Sequence, residues 1–210
     1  MHKLTRPAAP SCLRKYSYKK HQWKDVNSED KSEIWYQLDQ MQSKRCAYCE
    51  SAIVTTQKGS TSHIEHFQQR ARARKETFTW DNFFGSCNRQ DSCGKHKDEQ
   101  QYQPADLIKP DIEDPEQLLV FAPDGSVHPK ADLSDADKHR ADETIRIFNL
   151  NGSLQEIRKF EVIGYVQTAE YIAEIAAEYG PEEWQPLLQE ELEKIQDLPF
   201  ETAIRHILCR

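Results

Sequence analysis

Long apolar runs are missing from this 210-residue chain: the longest, Leu118 to Ala122, is five residues. A membrane-spanning helix needs roughly 20, so a helical transmembrane protein is excluded. The opening residues Met1 to Pro7 lack the apolar core of a secretory signal, which predicts a cytoplasmic location. Glycine is scarce, at seven residues, and the ten prolines follow no repeat. Collagen-like, coiled-coil and low-complexity classes are therefore excluded. What remains is a polar, soluble chain, 30% charged and 37% hydrophobic, with mean hydropathy −0.86. It is long enough for one ordinary domain or two small ones.

The net charge of −7 is unevenly spread. Residues 1–110 carry a balance of +6 and residues 111–210 a balance of −13. Such asymmetry fits a basic half facing something anionic and an acidic half facing water or a protein partner.

Three stretches differ in character. Residues 1–45 open with a basic, aromatic arm containing Arg14, Tyr16, Lys20 and Trp23, which either packs over the core or touches a partner. A helix follows from about 29 to 43, with Ser28 as a candidate cap and Ile34, Leu38 and Met41 on one face. Residues 46–98 hold most of the cysteines and the chemistry. Residues 99–210 begin as a proline-containing connector. Leu118–Ala122, Asp124-Gly125 and Ser126–His128 then read as a β-hairpin, because Asp-Gly suits a tight turn. The rest is helical: one helix opened by Ser134 and Asp137, and one opened by Ser153-Leu154-Gln155-Glu156 as a capping box. The second carries an apolar stripe from Leu154 through Phe160, Ile163 and Ile172 to Tyr179, expected to be core. Two shorter helices, at about 182–197 and 200–208, end the chain.

Six cysteines are present. Cys46 and Cys49 form a CxxC pair, and Cys87 and Cys93 form a CxxxxxC pair with 37 residues between the two pairs. In a reducing compartment close cysteine pairs point to metal rather than to disulfides. Tetrahedral Zn²⁺ takes four such thiolates, so these residues are expected to form a structural zinc site.

Between the pairs lies Ser62-His63-Ile64-Glu65-His66-Phe67. Strand alternation puts His63 and Glu65 on one face and His66 on the other. Asn82 comes sixteen residues after His66, and Gly94-Lys95-His96-Lys97-Asp98 follows Cys93 as a polar helical segment. A histidine-bearing strand, a loop, an asparagine segment and a helix inside a cysteine frame resemble the HNH (ββα-metal) endonucleases. The resemblance covers about residues 45–98. More narrowly, the Pro-rich arm, CAYCE at 46–50, HIEHF at 63–67 and the run from Ser86 to Lys97 resemble the PtuB-type HNH component of retron and Septu antiphage defence systems.

That resemblance implies an α+β fold: a zinc-stapled ββα-metal unit with an N-terminal helical arm and a mainly α-helical C-terminal segment containing a β-hairpin. It implies His66 as the general base, Glu65 as a ligand to Mg²⁺ or a similar divalent cation, and Asn82 as the residue that holds the loop. His63 is an additional ligand or orienting group. The family's second ligand directly follows the last cysteine, where this chain has Gly94, so His96 or Asp98 is expected to substitute. Arg70, Arg72, Arg74 and Lys75 would contact phosphates of the nucleic acid substrate, DNA or RNA. The resemblance further implies a partner ATPase of the PtuA type and, in retron versions, a reverse transcriptase with its RNA–DNA hybrid. The competing reading is a zinc-stabilised nucleic-acid-binding or adaptor module whose HNH site has decayed, with Gly94 as its ground.

Overall fold

The computed structural model describes residues 1–55 and 60–210. Among them are six helices and two small antiparallel sheets, an α+β arrangement. Helix α1 (Ser28–Gln42) starts one residue earlier than the candidate cap suggests: Asn27 is the cap, its side chain accepting from Asp30 N at 2.8 Å. Ile34, Leu38 and Met41 are buried as expected.

Strands β1 (Ser62–His66) and β2 (Phe83–Cys87) pair antiparallel, with Glu65 opposite Phe84 and His66 opposite Phe83. Helix α2 (Cys93–Glu99) follows directly. The second sheet pairs β3 (Leu119–Phe121) with β4 (Val127–Pro129). Its turn needs glycine: Gly125 has φ +80, and a side chain there would collide with the backbone of Gln155.

Helix α3 (Asp135–Ile147) is capped by Ser134, whose Oγ accepts from Asp137 N at 3.2 Å. Helix α4 (Ser153–Glu178) departs from expectation twice. Ser153 is its first helical residue rather than its cap; Gly152 occupies the cap position with no side-chain bond. The stripe also fails as a single core face. A step of three residues falls about 60° short of a full turn, so positions spaced by three drift around the helix. Leu154 and Ile172 are buried, but Phe160 and Ile163 emerge on the outer side at 77% and 59% exposure. Val162 and Arg158, in phase with Leu154 at four-residue steps, are buried instead. Helices α5 (Pro181–Lys194) and α6 (Glu201–Leu208) complete the chain.

One contiguous core joins all three stretches, from Leu4 and Cys12 in the arm through Phe84 and Phe148 to Leu208. The arm therefore packs over the core: Trp80 Nε1 donates to the Pro7 carbonyl at 2.9 Å, and Arg6 lies over the Trp80 and Phe84 rings. Glu50 ties the ends together. Buried and at φ 64, it accepts from Thr202 N at 3.0 Å and Thr202 Oγ1 at 2.6 Å, and pairs with the amino group of Met1 at 2.6 Å. No helix among the described residues is long and apolar enough to cross a membrane.

Candidate functional site

Backbone hydrogen bonds build the cysteine frame. Cys46 N donates to Ser51 O at 2.9 Å and Glu50 N to Cys46 O at 3.0 Å, closing a tight knuckle around Cys49. Cys87 ends β2 and Cys93 begins α2. Cys93 sits at φ 55 with its N–H donated to Phe148 O at 2.8 Å. All four cysteines are buried, and their sulfurs lie within 4.8 Å of one another. A tetrahedral ion with bonds of about 2.3 Å sets sulfur–sulfur edges of about 3.8 Å, and Cys49 and Cys87 are 4.0 Å apart. The frame can hold a metal ion. Burial opposes ionisation of Cys46, but hydrogen bonds from Cys49, Cys87 and Cys93 outweigh it and hold its thiol well below the ordinary range.

The frame brackets β2 and α2 and so sets Glu65 against α2. Glu65 is 2% exposed, and its Oε2 lies 3.0 Å from His63 Nε2. Asn88 fixes the histidine. Its Nδ2 donates to the carbonyls of Ser60 and Ser62 at 3.3 and 3.0 Å, so its Oδ1 faces His63 Nδ1 at 2.9 Å and accepts that ring's proton. His63 Nε2 and Glu65 Oε2 thus face one place, where a shared proton or a cation would join them.

Gly94 lies directly beneath this pair. A Cβ on Gly94 would stand 2.5 Å from Glu65 Oε2 and 3.0 Å from His63 Nε2. The residue beside Glu65 Oε2 at this point is His63, two positions earlier on the same strand. Neither proposed substitute joins it. His96 turns away: its Nδ1 is bonded to Ile147 O at 2.9 Å and its Nε2 lies 3.4 Å from the Gln100 amide. Asp98 accepts from Lys97 Nζ at 2.7 Å and reaches Glu65 only through that ammonium.

His66 lies on the opposite strand face, at 5% exposure, with Trp23 and Phe83 edge-on to its ring at 4.7 and 4.9 Å. Its Nε2 lies 3.1 Å from the Thr77 carbonyl. A carbonyl only accepts, so the proton is on Nε2 and the electron pair on Nδ1. Nδ1 has no hydrogen-bond partner among the described residues. Burial pulls the imidazole down to about 3, and the charges of Arg70 and Lys97 add to this against the Thr77 bond. His66 is thus neutral at any ordinary pH.

Asn82 fixes this loop at both ends. Its Oδ1 accepts from Gln68 N at 2.7 Å, while its Nδ2 donates to Gln68 O and Glu76 O, each at 3.1 Å. Those positions flank His66 on one side and Thr77 on the other, so Asn82 holds the acceptor that orients the imidazole.

No protein-family model matches this chain, and no curated protein matches it either.

The basic loop divides. Arg70 and Arg74 line a recess of about 150 Å³ with His21, Gln22, Trp23 and Thr77, next to His66. Arg72 instead braces the connector, donating to Gln100 O at 2.9 Å and lying over the Tyr102 ring. Lys75 is exposed. The sequence marks Trp23 only as part of the aromatic arm and Lys97 only as the end of the Ser86-to-Lys97 run, and nothing local marks Thr77.

Proposed function

We propose that this protein is a metal-dependent HNH endonuclease that hydrolyses phosphodiester bonds. The observation that carries the reading is the convergence of Glu65 Oε2 and His63 Nε2 over Gly94, one residue from a neutral, carbonyl-oriented His66. The order β1, β2, α2 inside the cysteine frame supports it.

Glu65 and His63 would hold Mg²⁺ or a similar cation. A buried carboxylate suits such a hard ion; Glu65 offers Oε2 beside His63, while its Oε1 is paired with the Lys97 ammonium at 2.8 Å. When bound, the ion supplies Lewis-acid stabilisation of the scissile phosphate and the departing 3′ oxygen. The chain's own residues do the rest. His66 Nδ1 is the atom we assign to accept the proton of the attacking water, although burial, which pulls the resting imidazole down to about 3, makes it a weaker base than a free one. Thr77 keeps that nitrogen free of its proton beforehand, and Asn82 keeps Thr77 in place. Arg70 and Arg74 hold flanking phosphates at the mouth of the recess. Cys46, Cys49, Cys87 and Cys93 would hold a structural Zn²⁺ that joins the knuckle to β2 and α2. Products would carry 5′-phosphate and 3′-hydroxyl ends.

The resemblance in sequence supplies the setting we adopt: the toxic effector of a retron- or Septu-type antiphage system in the cytoplasm, gated by a PtuA-type ATPase, with a reverse transcriptase and its RNA–DNA hybrid in retron versions. The acidic C-terminal half, with Phe160, Ile163 and Tyr171 exposed along α4, is the face we assign to the partner. The rival adaptor reading rests on Gly94; the close packing of Gly94 under Glu65 accounts for a glycine there in either reading. Incubation of the purified protein with Mg²⁺ and either supercoiled DNA or RNA tests the proposal. Cleavage that stops on chelation supports it; no cleavage of either substrate, with the partner ATPase present, favours the adaptor.

A further inference from the structure

Lys97 is the most deeply buried cation in the neighbourhood of the site, with a side chain at 0% exposure. It leaves α2 three residues after Gly94, on the same helix face, and passes alongside the Glu65 carboxylate. Its Nζ donates to His66 O at 3.0 Å, Asp98 Oδ1 at 2.7 Å and Tyr102 OH at 3.2 Å. Glu65 Oε1 stands 2.8 Å from the same nitrogen, so carboxylate and ammonium form a buried ion pair. Tyr102 in turn donates to Phe67 O at 2.7 Å, so the ammonium is strapped to the end of β1 and cannot drift aside.

We propose that Lys97 is a charge gate for the divalent-cation site, keeping the ion from settling on Glu65 until a phosphodiester adds a further negative charge. This rests on reading Glu65 and His63 as the ion's ligands. The physical reason is the charge count. Divalent-cation sites in proteins usually offer several anionic oxygens, and this one offers a single buried carboxylate, Glu65, paired with a fixed ammonium that it shares with the half-exposed Asp98. A dication brought beside that ammonium is repelled in a poorly solvated place, where charge–charge interactions are strong. A phosphate oxygen from nucleic acid offsets the repulsion and supplies a ligand. Cation and substrate therefore bind together, and the resting enzyme stays unloaded.

A purely structural lysine gives the opposite sign. Removing it would loosen Glu65 and weaken metal binding, whereas removing a gate strengthens it. The test is Mn²⁺ titration of the full chain, followed by electron paramagnetic resonance, for wild type, Lys97→Met and Lys97→Gln at equal zinc content. Both variants are expected to bind Mn²⁺ at least roughly tenfold more tightly than wild type. Unchanged or weaker binding in the variants overturns the gate. Should neither variant fold, the same titration with Lys97 intact decides: in the non-cleaving His66→Ala background, a short DNA duplex is expected to tighten Mn²⁺ binding at least tenfold, after subtraction of the Glu65→Gln, His66→Ala control. No tightening overturns it. Mn²⁺ binding that is unaffected by Glu65→Gln would instead remove the metal reading itself, a result distinct from failure of the gate.

Discussion

Gly94 and Glu65 are in such close register that a single methyl group on Gly94 would stand 2.5 Å from the carboxylate oxygen Oε2. The glycine is fixed from its other side by Ser86, whose Oγ accepts its N–H at 3.1 Å. Neither partner has room to retreat. Gly94→Ala is therefore expected to push Glu65 and His63 apart, cutting nuclease activity at least tenfold while zinc content stays at the wild-type level. Mn²⁺ titration alongside cleavage assays checks this; wild-type values in both would mean the pair is not the cation site.

The cysteine frame holds the helix that carries Gly94 and Lys97. Cys46→Ser or Cys87→Ser is expected to lower bound zinc below one ion per chain and to reduce unfolding stability by several kcal/mol, since metal binding and folding of such a unit are one process. Metal analysis and chemical denaturation measure both. Full stability of correctly folded, zinc-free wild type would remove the ion from the structural account.

Arg70 and Arg74 flank the recess beside His66, while Arg72 is braced against Gln100. Changing Arg70 and Arg74 together to Ala is expected to weaken nucleic-acid binding and to reduce the salt slope by about one for each phosphate that the variant no longer neutralises. Arg72→Ala is expected to change the slope less. Binding isotherms across a series of salt concentrations separate the two cases.

Glu50 links the knuckle to α6, and its carboxyl is held well below its ordinary value of 4.5. Burial acts in the opposite direction, but the amino group of Met1 and the His2 ring outweigh it. A carboxyl depressed in the folded state binds fewer protons there than in the unfolded chain. Its stabilising effect is therefore complete above the ordinary carboxylate range and is lost as pH falls below about 4.5 through the folded value. Glu50→Gln is expected to cost about 3 kcal/mol at pH 7, with the gap to wild type narrowing below pH 4.5. Urea unfolding at pH 7 and pH 4 measures the gap at each end.

Much of this site is legible in the chain because local spacing encodes it. The cysteine pairs, the alternation of His63, Glu65 and His66, and the hairpin at Asp124-Gly125 all act over a few residues. Asn82 could be named, but its two-ended grip on Gln68 and Glu76 depends on how the loop folds back. Lys97, Trp23 and Thr77 act across 31, 43 and 11 residues on His66, distances at which no periodicity survives. The spacing points to His96 and Asp98 in the helix, and it cannot show that Gly94 lies under Glu65 while His96 is bonded to Ile147 O and Asp98 to Lys97. Helix α4 failed for a geometric reason. Steps of three resemble a helical face over one turn, but over 20 residues they wind around it and leave Phe160 and Ile163 outside.

The most direct measurement is Mg²⁺-dependent cleavage by His66→Ala. A proton acceptor at this position is worth about 10²–10⁴ in rate, and the imidazole touches neither the cysteine frame nor Glu65. The variant is expected to lose cleavage by at least two orders of magnitude while remaining folded, with a somewhat lower unfolding midpoint from the cavity it leaves, and while keeping wild-type zinc content and nucleic-acid affinity. Cleavage at the wild-type rate in a folded, zinc-loaded His66→Ala protein would contradict the assignment of this site as an HNH nuclease centre.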